Sequence, residues 1–395
     1  MKVIVTGPSL YKQGSGLGWV KHNVCKALKA KGDEVYSLVP VNSYISSITA
    51  SHIVSSEGRG SEEPMEIDEI FISNLDCEKQ WDEVKELIKP DLVICIGDPE
   101  NNWFVISEEK DPKVKLVYYY LTEMHTVSRY IPISGRENID EERLDLKALL
   151  EEFDLIIPVT KTTTTALVID CGIDKKLITD PLALPVHKWD ISADKAIQYR
   201  RSIQVDPTCK IYYSIAMNTT RKRLDQLLLY FKFNLFKKPC DKLVIHTRPY
   251  GGADLVAIAG RLGIVRNLRI VEKVSQAAIE GVMSGGDVFV STPAAEGFGL
   301  PLWESLLVTK PVIHTNVGHP GEALPQLKDR NVTLLQADVP YFPSIGNQVW
   351  YGIQRVPKSE LAGNAGTKQV EDLIETPASF ADKFINILKE KNICQ

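Results

Sequence analysis

The sequence predicts an α/β chain of two halves, each a largely parallel sheet with helices packed on its faces. Three observations lead there. The chain has 395 residues, and one hydrophobic core rarely grows past roughly 250–300. Short, nearly continuous apolar runs alternate with amphipathic stretches, the pattern of βα units around strands covered on both sides. The alternation breaks around 186–208, a polar stretch containing Pro207, and starts afresh near 209. This places domains at 1–190 and 205–376, with a hinge between them and a last segment at 377–395.

The elements follow in order. Lys2–Thr6 is a strand, followed by the turn Gly14-Ser15-Gly16-Leu17-Gly18 and a helix over 19–31 that ends at Gly32, as helices commonly do. Val20, Val24, Ala27 and Leu28 share one face of that helix, with Lys21, Lys26 and Lys29 on others. With Lys31, these lysines are expected on a solvated face, with an anionic membrane surface as the alternative. A strand covers 34–39, and 42–68, rich in Ser, Glu and Gly without a period, is expected as a loop excursion. Leu92–Ile96, Lys115–Tyr120 and 155–159 are fully apolar strands. The second half has strands at 210–215, Lys242–His246, Leu268–Val271, 287–291 and 311–315, with helices over 224–236 and 253–262. Over 378–391, Phe380, Phe384, Ile387 and Leu388 share one helical face.

Composition narrows the function. Hydrophobic residues make up 44% and charged ones 25%, with a net charge of −5. This is ordinary for a globular protein, and a chain that grips nucleic acid would show a basic excess. The seven cysteines are scattered, without a C-x-x-C pair, so neither a zinc site nor a disulfide framework is expected. Cys95 lies in an apolar run, and buried free thiols fit a reducing, cytoplasmic compartment. No apolar run is long enough to span a bilayer.

The chemistry concentrates in Asp287-Val-Phe-Val-Ser-Thr-Pro-Ala-Ala-Glu296-Gly-Phe-Gly-Leu-Pro-Leu-Trp-Glu304. A strand runs into a loop with two glycines, then into a helix whose first turn holds Pro301, a position that suits proline. Such a loop offers backbone N–H groups at a helix N-terminus to phosphates and sugar hydroxyls. Glu296 ends the strand side, and Glu304 lies about one turn into the helix. Ligands of such sheets sit beyond the carboxyl ends of the strands, so two halves can form a two-part site.

Glu296-Gly297-Phe298-Gly299-Leu300-Pro301 followed by Glu304 resembles the signature of retaining glycosyltransferases of the GT-B fold, in particular glycosyltransferase family 4 (glycosyl transferases group 1). The resemblance implies a GT-B fold, in which two Rossmann-like domains face each other across a cleft and the last helix packs back on the first domain. It implies a nucleotide-diphosphate sugar as donor (UDP-, GDP- or ADP-linked), a hydroxyl acceptor on a sugar, lipid or protein glycan, and neither metal nor cofactor. Glu296 and the loop from Gly297 through Phe298 and Gly299 to Leu300 would bind the donor sugar, and Glu304 the ribose. Gly16 matches the glycine whose amide approaches the donor phosphate. Lys222 matches the lysine that neutralises the diphosphate. The partner arginine of that lysine would fall near Ala216 and is absent, with Arg221, Arg223 and Arg248 as replacements. Glu123 and His125 follow the strand after which the family places a histidine near the reacting sugar, and either would contact donor sugar or acceptor. His314, Thr315 and Glu322 match positions that shape the donor site. The segment 330–376 has no counterpart. The absent arginine leaves a non-catalytic nucleotide-sugar binding module as one alternative, and a sugar-nucleotide epimerase is another.

Overall fold

A computed structural model describes residues 1–395 except 9, 11–15, 42–48, 56–64, 74–75, 98, 100–101, 107–110, 122–129, 133–142, 249–250, 273–275, 328–331, 338–352, 356–369, 372 and 395. Two α/β units divide the chain: Met1–Pro185 joined by Glu375–Gln395, and Val186–Ile374.

In the first unit the apolar runs become β1 (Lys2–Thr6), β2 (Glu34–Val41), β3 (Thr49–Ser55), β4 (Met65–Ser73), β5 (Leu92–Ile96), β6 (Lys115–Tyr120), β7 (Tyr130–Pro132), β8 (Arg143–Asp145) and β9 (Leu155–Pro158). Helices α1 (Gly16–Ala30), α2 (Cys77–Ile88), α3 (Leu146–Glu151) and α4 (Lys161–Ile169) alternate with them. The sheet order is β3-β4-β2-β1-β5-β6-β9, with β7 and β8 as a separate pair. All sheet neighbours are parallel except β3, which lies antiparallel on β4. The expected loop excursion at 42–68 therefore holds β3 and the start of β4. In β4, Met65 and Ile67 are buried while Glu66 and Asp68 are exposed, a half-buried alternation that is easily lost beside long apolar runs. One side of the sheet buries Ile4, Leu38, Val93, Tyr118 and Ile156 against Trp81 and Val84 of α2 and the nearby Phe104 and Phe153. Each such side chain contributes about 1.5–3 kcal/mol.

The second unit starts with α5 (Ala193–Ser202), in the stretch that the sequence presents as a hinge. Ser192 caps it by accepting from the Lys195 amide at 3.2 Å. Arg200 grips both carboxylate oxygens of Asp287 at 2.7 Å, so the helix is part of the domain and not a tether. Then come β10 (Ile211–Ile215), α6 (Leu224–Tyr230), β11 (Lys242–His246), α7 (Leu255–Arg261), β12 (Leu268–Val271), α8 (Gln276–Gly285), β13 (Val288–Ser291), α9 (Leu300–Leu307), β14 (Val312–Thr315), α10 (Gly318–Ala323), β15 (Val332–Ala337) and β16 (Ile353–Arg355). The order is β12-β11-β10-β13-β14-β15-β16, parallel up to β15 and antiparallel at β16. In both sheets the winding reverses beside the first strand, between β1 and β5 and between β10 and β13. Those reversals are where such sheets bind ligands.

The remaining helix, α11 (Pro377–Glu390), belongs to the first unit. A reciprocal cap between Thr376 and Ser379 starts it. Phe380 and Phe384 meet the Tyr119 ring edge-on at 5.8 and 6.3 Å. Among the described residues, no helix is long and apolar enough to cross a membrane.

The expectation of free thiols fails at one pair. Cys209 and Cys240 form a disulfide, while Cys25, Cys77, Cys95, Cys171 and Cys394 are buried thiols outside it. Each bridged cysteine stands two residues before a strand, and Ile211 of β10 lies beside Lys242 of β11. Strand register thus brings together two residues 31 apart in sequence. Cross-linking such a loop stabilises by about 3.7 kcal/mol through the unfolded chain. Cys209→Ser should lower the unfolding free energy by about that amount in urea titrations, and a reductant should lower the wild type to the same value without affecting the variant.

Candidate functional site

The site of the second unit is built at its winding reversal. Strand β13 is held at its start by the Asp287 carboxylate, which also accepts from the Ile211 amide at 2.7 Å. The chain leaves β13 through Thr292 to Glu296 and turns into α9 at Gly299, which has φ 81° and ψ 51°. This left-handed conformation suits glycine, and a Cβ there would also crowd the Glu296 and Pro320 side chains at 3.3 Å. Across the reversal, the chain leaves β10 and makes a 3-10 turn, Thr220–Lys222. Three hydrogen bonds join this turn to the β13 loop: Ala294 N to Arg221 O at 2.8 Å, Thr292 Oγ1 to Arg223 O at 3.0 Å, and Arg221 Nη1 to Ala295 O at 2.9 Å.

That junction brings two cations to one carboxylate. Lys222 Nζ donates to Glu296 Oε2 in a close ion pair, and Arg221 Nη1 lies 3.8 Å from Oε1. Glu296 is 8% exposed. Burial by itself would raise its pKa, but Lys222 and Arg221 outweigh burial and hold it below the usual carboxylate range. Behind it, the His314 ring places Nδ1 2.6 Å from the Thr315 carbonyl. A carbonyl only accepts, so Nδ1 carries the proton. Thr315 Oγ1 in turn donates to Pro293 O at 2.6 Å. Gly318 opens α10 directly against the Glu296 carbonyl, where a Cβ would fall 1.6 Å from the oxygen. Only glycine fits there, and this contact fixes the backbone that carries the carboxylate.

The other expected residues divide clearly. Gly297 is buried in the loop, and Leu300 is buried at the start of α9. Phe298 is a core residue whose ring stacks on His319 at 5.1 Å, and its carbonyl accepts from Trp303 Nε1 at 2.9 Å. The ring is therefore taken up by the core. Glu304 lies in α9 and is fully buried. Arg223 is turned away into a pair of contacts with Asp225 at 2.9 and 3.0 Å, and Arg248 is exposed. Gly16 is the first residue of α1, in the other unit. Glu123 and His125 lie outside the described residues. Sequence reasoning missed Gly318, whose need for glycine shows only once α10 meets the Glu296 loop.

Residues 196–333 match the family model of glycosyl transferases group 1. The chain carries a glycosyl transferases group 1 domain. The match begins inside α5 and covers Arg221, Lys222, Glu296, Glu304 and His314. No curated protein matches the chain in sequence. Solved structures show the same GT-B fold around this transferase domain. HepE of Anabaena, in complex with UDP and glucose, is 13% identical with a TM-score of 0.68 over 99% of this chain and 100% of that one. Sucrose-phosphate synthase of Thermosynechococcus elongatus is 12% identical with a TM-score of 0.65 over 98% of both chains. The catalytic domain of starch synthase IV from Arabidopsis thaliana, bound to ADP and acarbose, is 13% identical with a TM-score of 0.57 over 85% of this chain and 88% of that one.

The imidazoles of the transferase domain set a pH limit on it. Burial lowers His246, His314 and His319 each to about 4, whereas unfolded histidine titrates near ~6.5. The folded values are depressed, so their stabilising contribution is present above pH ~6.5 and lost as pH falls through about 4. The melting temperature should therefore fall steadily from pH 7 to pH 4, and His319→Phe, which can keep the stack on Phe298, should flatten part of that fall in thermal scans.

Proposed function

We propose that this glycosyltransferase moves a hexose from a nucleotide-diphosphate donor to an acceptor hydroxyl, with retention at the anomeric carbon and no requirement for a metal ion. The observation that carries the reading is the convergence of Lys222 and Arg221 on Glu296 at the winding reversal, beside the N-terminus of α9. A departing nucleoside diphosphate gains negative charge, and preorganised cations stabilise that charge in a site shielded from water. Arg221 takes the part of the arginine absent at position 216, since Arg223 is committed to Asp225.

When the donor enters, Lys222 turns from the Glu296 carboxylate to the diphosphate. Glu296 then accepts hydrogen bonds from the sugar hydroxyls, alongside the backbone from Gly297 to Leu300. Glu304 is assigned to the ribose and Gly16 to the donor phosphate, with Glu123 or His125 near the reacting sugar. The acceptor oxygen bonds to the anomeric carbon on the face that the diphosphate leaves. The bond from carbon to phosphate oxygen breaks, and the acceptor proton passes to that oxygen. The enzyme contributes position and charge.

UDP- and ADP-glucose are the first donors to test, because HepE and starch synthase IV hold UDP and ADP, with GDP-linked sugars beside them. Wild type should turn over one donor slowly without an acceptor and keep the anomeric configuration in NMR of the transfer product, with chelator present. Glu296→Ala should retain the fold by circular dichroism and lose about 10²–10³ in kcat. Transfer near the wild-type rate by that variant would overturn the assignment. Donor binding without any turnover would favour the binding module, and an altered donor sugar without acceptor the epimerase.

A further inference from the structure

Lys21 does not lie on a solvated face of α1. It is fully buried, and its ammonium donates to the carbonyls of Leu38 at 2.8 Å and Gly7 at 3.2 Å. These carbonyls belong to the middle of β2 and to the residue after β1. Close by, Glu69 of β4 is also fully buried. Its Oε1 accepts from the Leu10 amide at 2.8 Å and from Ser37 Oγ, also buried, at 2.9 Å. The cation thus ties α1 to Leu38 of β2 and to Gly7 after β1, and the anion ties Ser37 of β2 to the Leu10 amide.

We propose that Lys21 and Glu69 form a positioning device that fixes the height of Gly16, the first residue of α1, over the carboxyl ends of β1 and β2. The inference rests on the reading of Gly16 as a donor-phosphate contact. Gly16 lies five residues before Lys21 on the same helix, so the Gly7 and Leu38 carbonyls that hold the ammonium also set where the helix begins. Strand β1, from which the chain runs on to Gly16, stands at the winding reversal of the first sheet, the edge at which such sheets bind ligands.

A core role alone accounts poorly for the arrangement. An apolar side chain of similar length would fill the space without the cost of removing an ammonium from water. That cost shows in Lys21 itself, which burial pushes down to about 8, against the opposing pull of Cys25 and Glu69. Unfolded lysine titrates near ~10.4, so the folded chain binds this proton less tightly than the unfolded one, and the charged form is kept at the expense of stability at neutral pH. Buried charges held at such expense are commonly found where geometry matters to function.

The test compares Lys21→Met, Glu69→Gln and the double variant, because removing one partner strands the other whereas removing both need not. The double variant is expected to regain the melting temperature lost in the single ones. Hydrogen exchange of the peptide covering 7–20 should nevertheless be at least ten-fold faster than in wild type. With UDP-glucose, ADP-glucose and GDP-mannose as probes, KM for the donor that wild type uses should rise about ten-fold, with kcat within two-fold. A double variant with wild-type exchange, or with faster exchange but an unchanged donor KM, overturns the positioning role and leaves the transferase reading intact. Wild type that uses none of the three donors overturns the donor reading and this role together, even if the exchange result stands.

Discussion

The reversal of winding between β10 and β13 is the constraint on which the transferase domain depends. Elsewhere in a parallel sheet, successive connections pass over the same side and crowd one another. At a reversal they fan to opposite sides and leave an open crevice between two adjacent strand ends. The connection after β10 delivers Arg221 and Lys222, and the one after β13 delivers Glu296. Because the two strands are hydrogen-bonded neighbours, the opposite charges meet without either loop being long. Hydrogen bonds from the Ala294 amide, the Thr292 hydroxyl and the Arg221 guanidinium to backbone carbonyls then join the two connections.

Both units bury a charge beside their first strand, but satisfy it differently. Glu296 is balanced by full cations, which pull its pKa down despite burial. Lys21 is met mainly by neutral carbonyls, with Glu69 farther off, and its pKa falls. The distinction follows from what each group faces. A carboxylate between two movable side chains can exchange partners with an incoming anion. An ammonium bound to the backbone of two strands cannot leave without disturbing the sheet. One arrangement suits chemistry, the other suits holding still.

Much of this was legible in the sequence, and what was not has identifiable causes. Strands covered on both faces read as unbroken apolar runs, so β1, β5, β6 and β11 could be found directly. The spacing of Glu296, Gly297, Gly299 and Glu304 declared a loop between strand and helix. Strand order leaves no mark in a linear sequence, and with it the reversal, the pairing of Cys209 with Cys240 and the meeting of Lys222 with Glu296 stayed hidden. Helix α5 was missed because it buries only Tyr199 among ten residues and carries little apolar period. Lys21 was misplaced because a lysine off the apolar face of a helix is normally solvated, and its acceptors, the Gly7 and Leu38 carbonyls, belong to backbone that no side-chain pattern reports. That Arg221 would reach Glu296 was equally hidden, because the 3-10 turn after β10 leaves no period in the sequence.

The first unit is interrupted by the second, and this orders events during synthesis. A ribosome releases everything up to Pro185 and then the whole of the second unit before Glu375 and α11 emerge. Until then the Tyr119 ring, which Phe380 and Phe384 cover in the finished protein, faces water together with the apolar surface of α1. The later-made domain can be complete while the earlier one still waits for its last helix. Nascent chains of this protein therefore carry an unfinished apolar face for most of translation, the kind of surface that chaperones hold and proteases find.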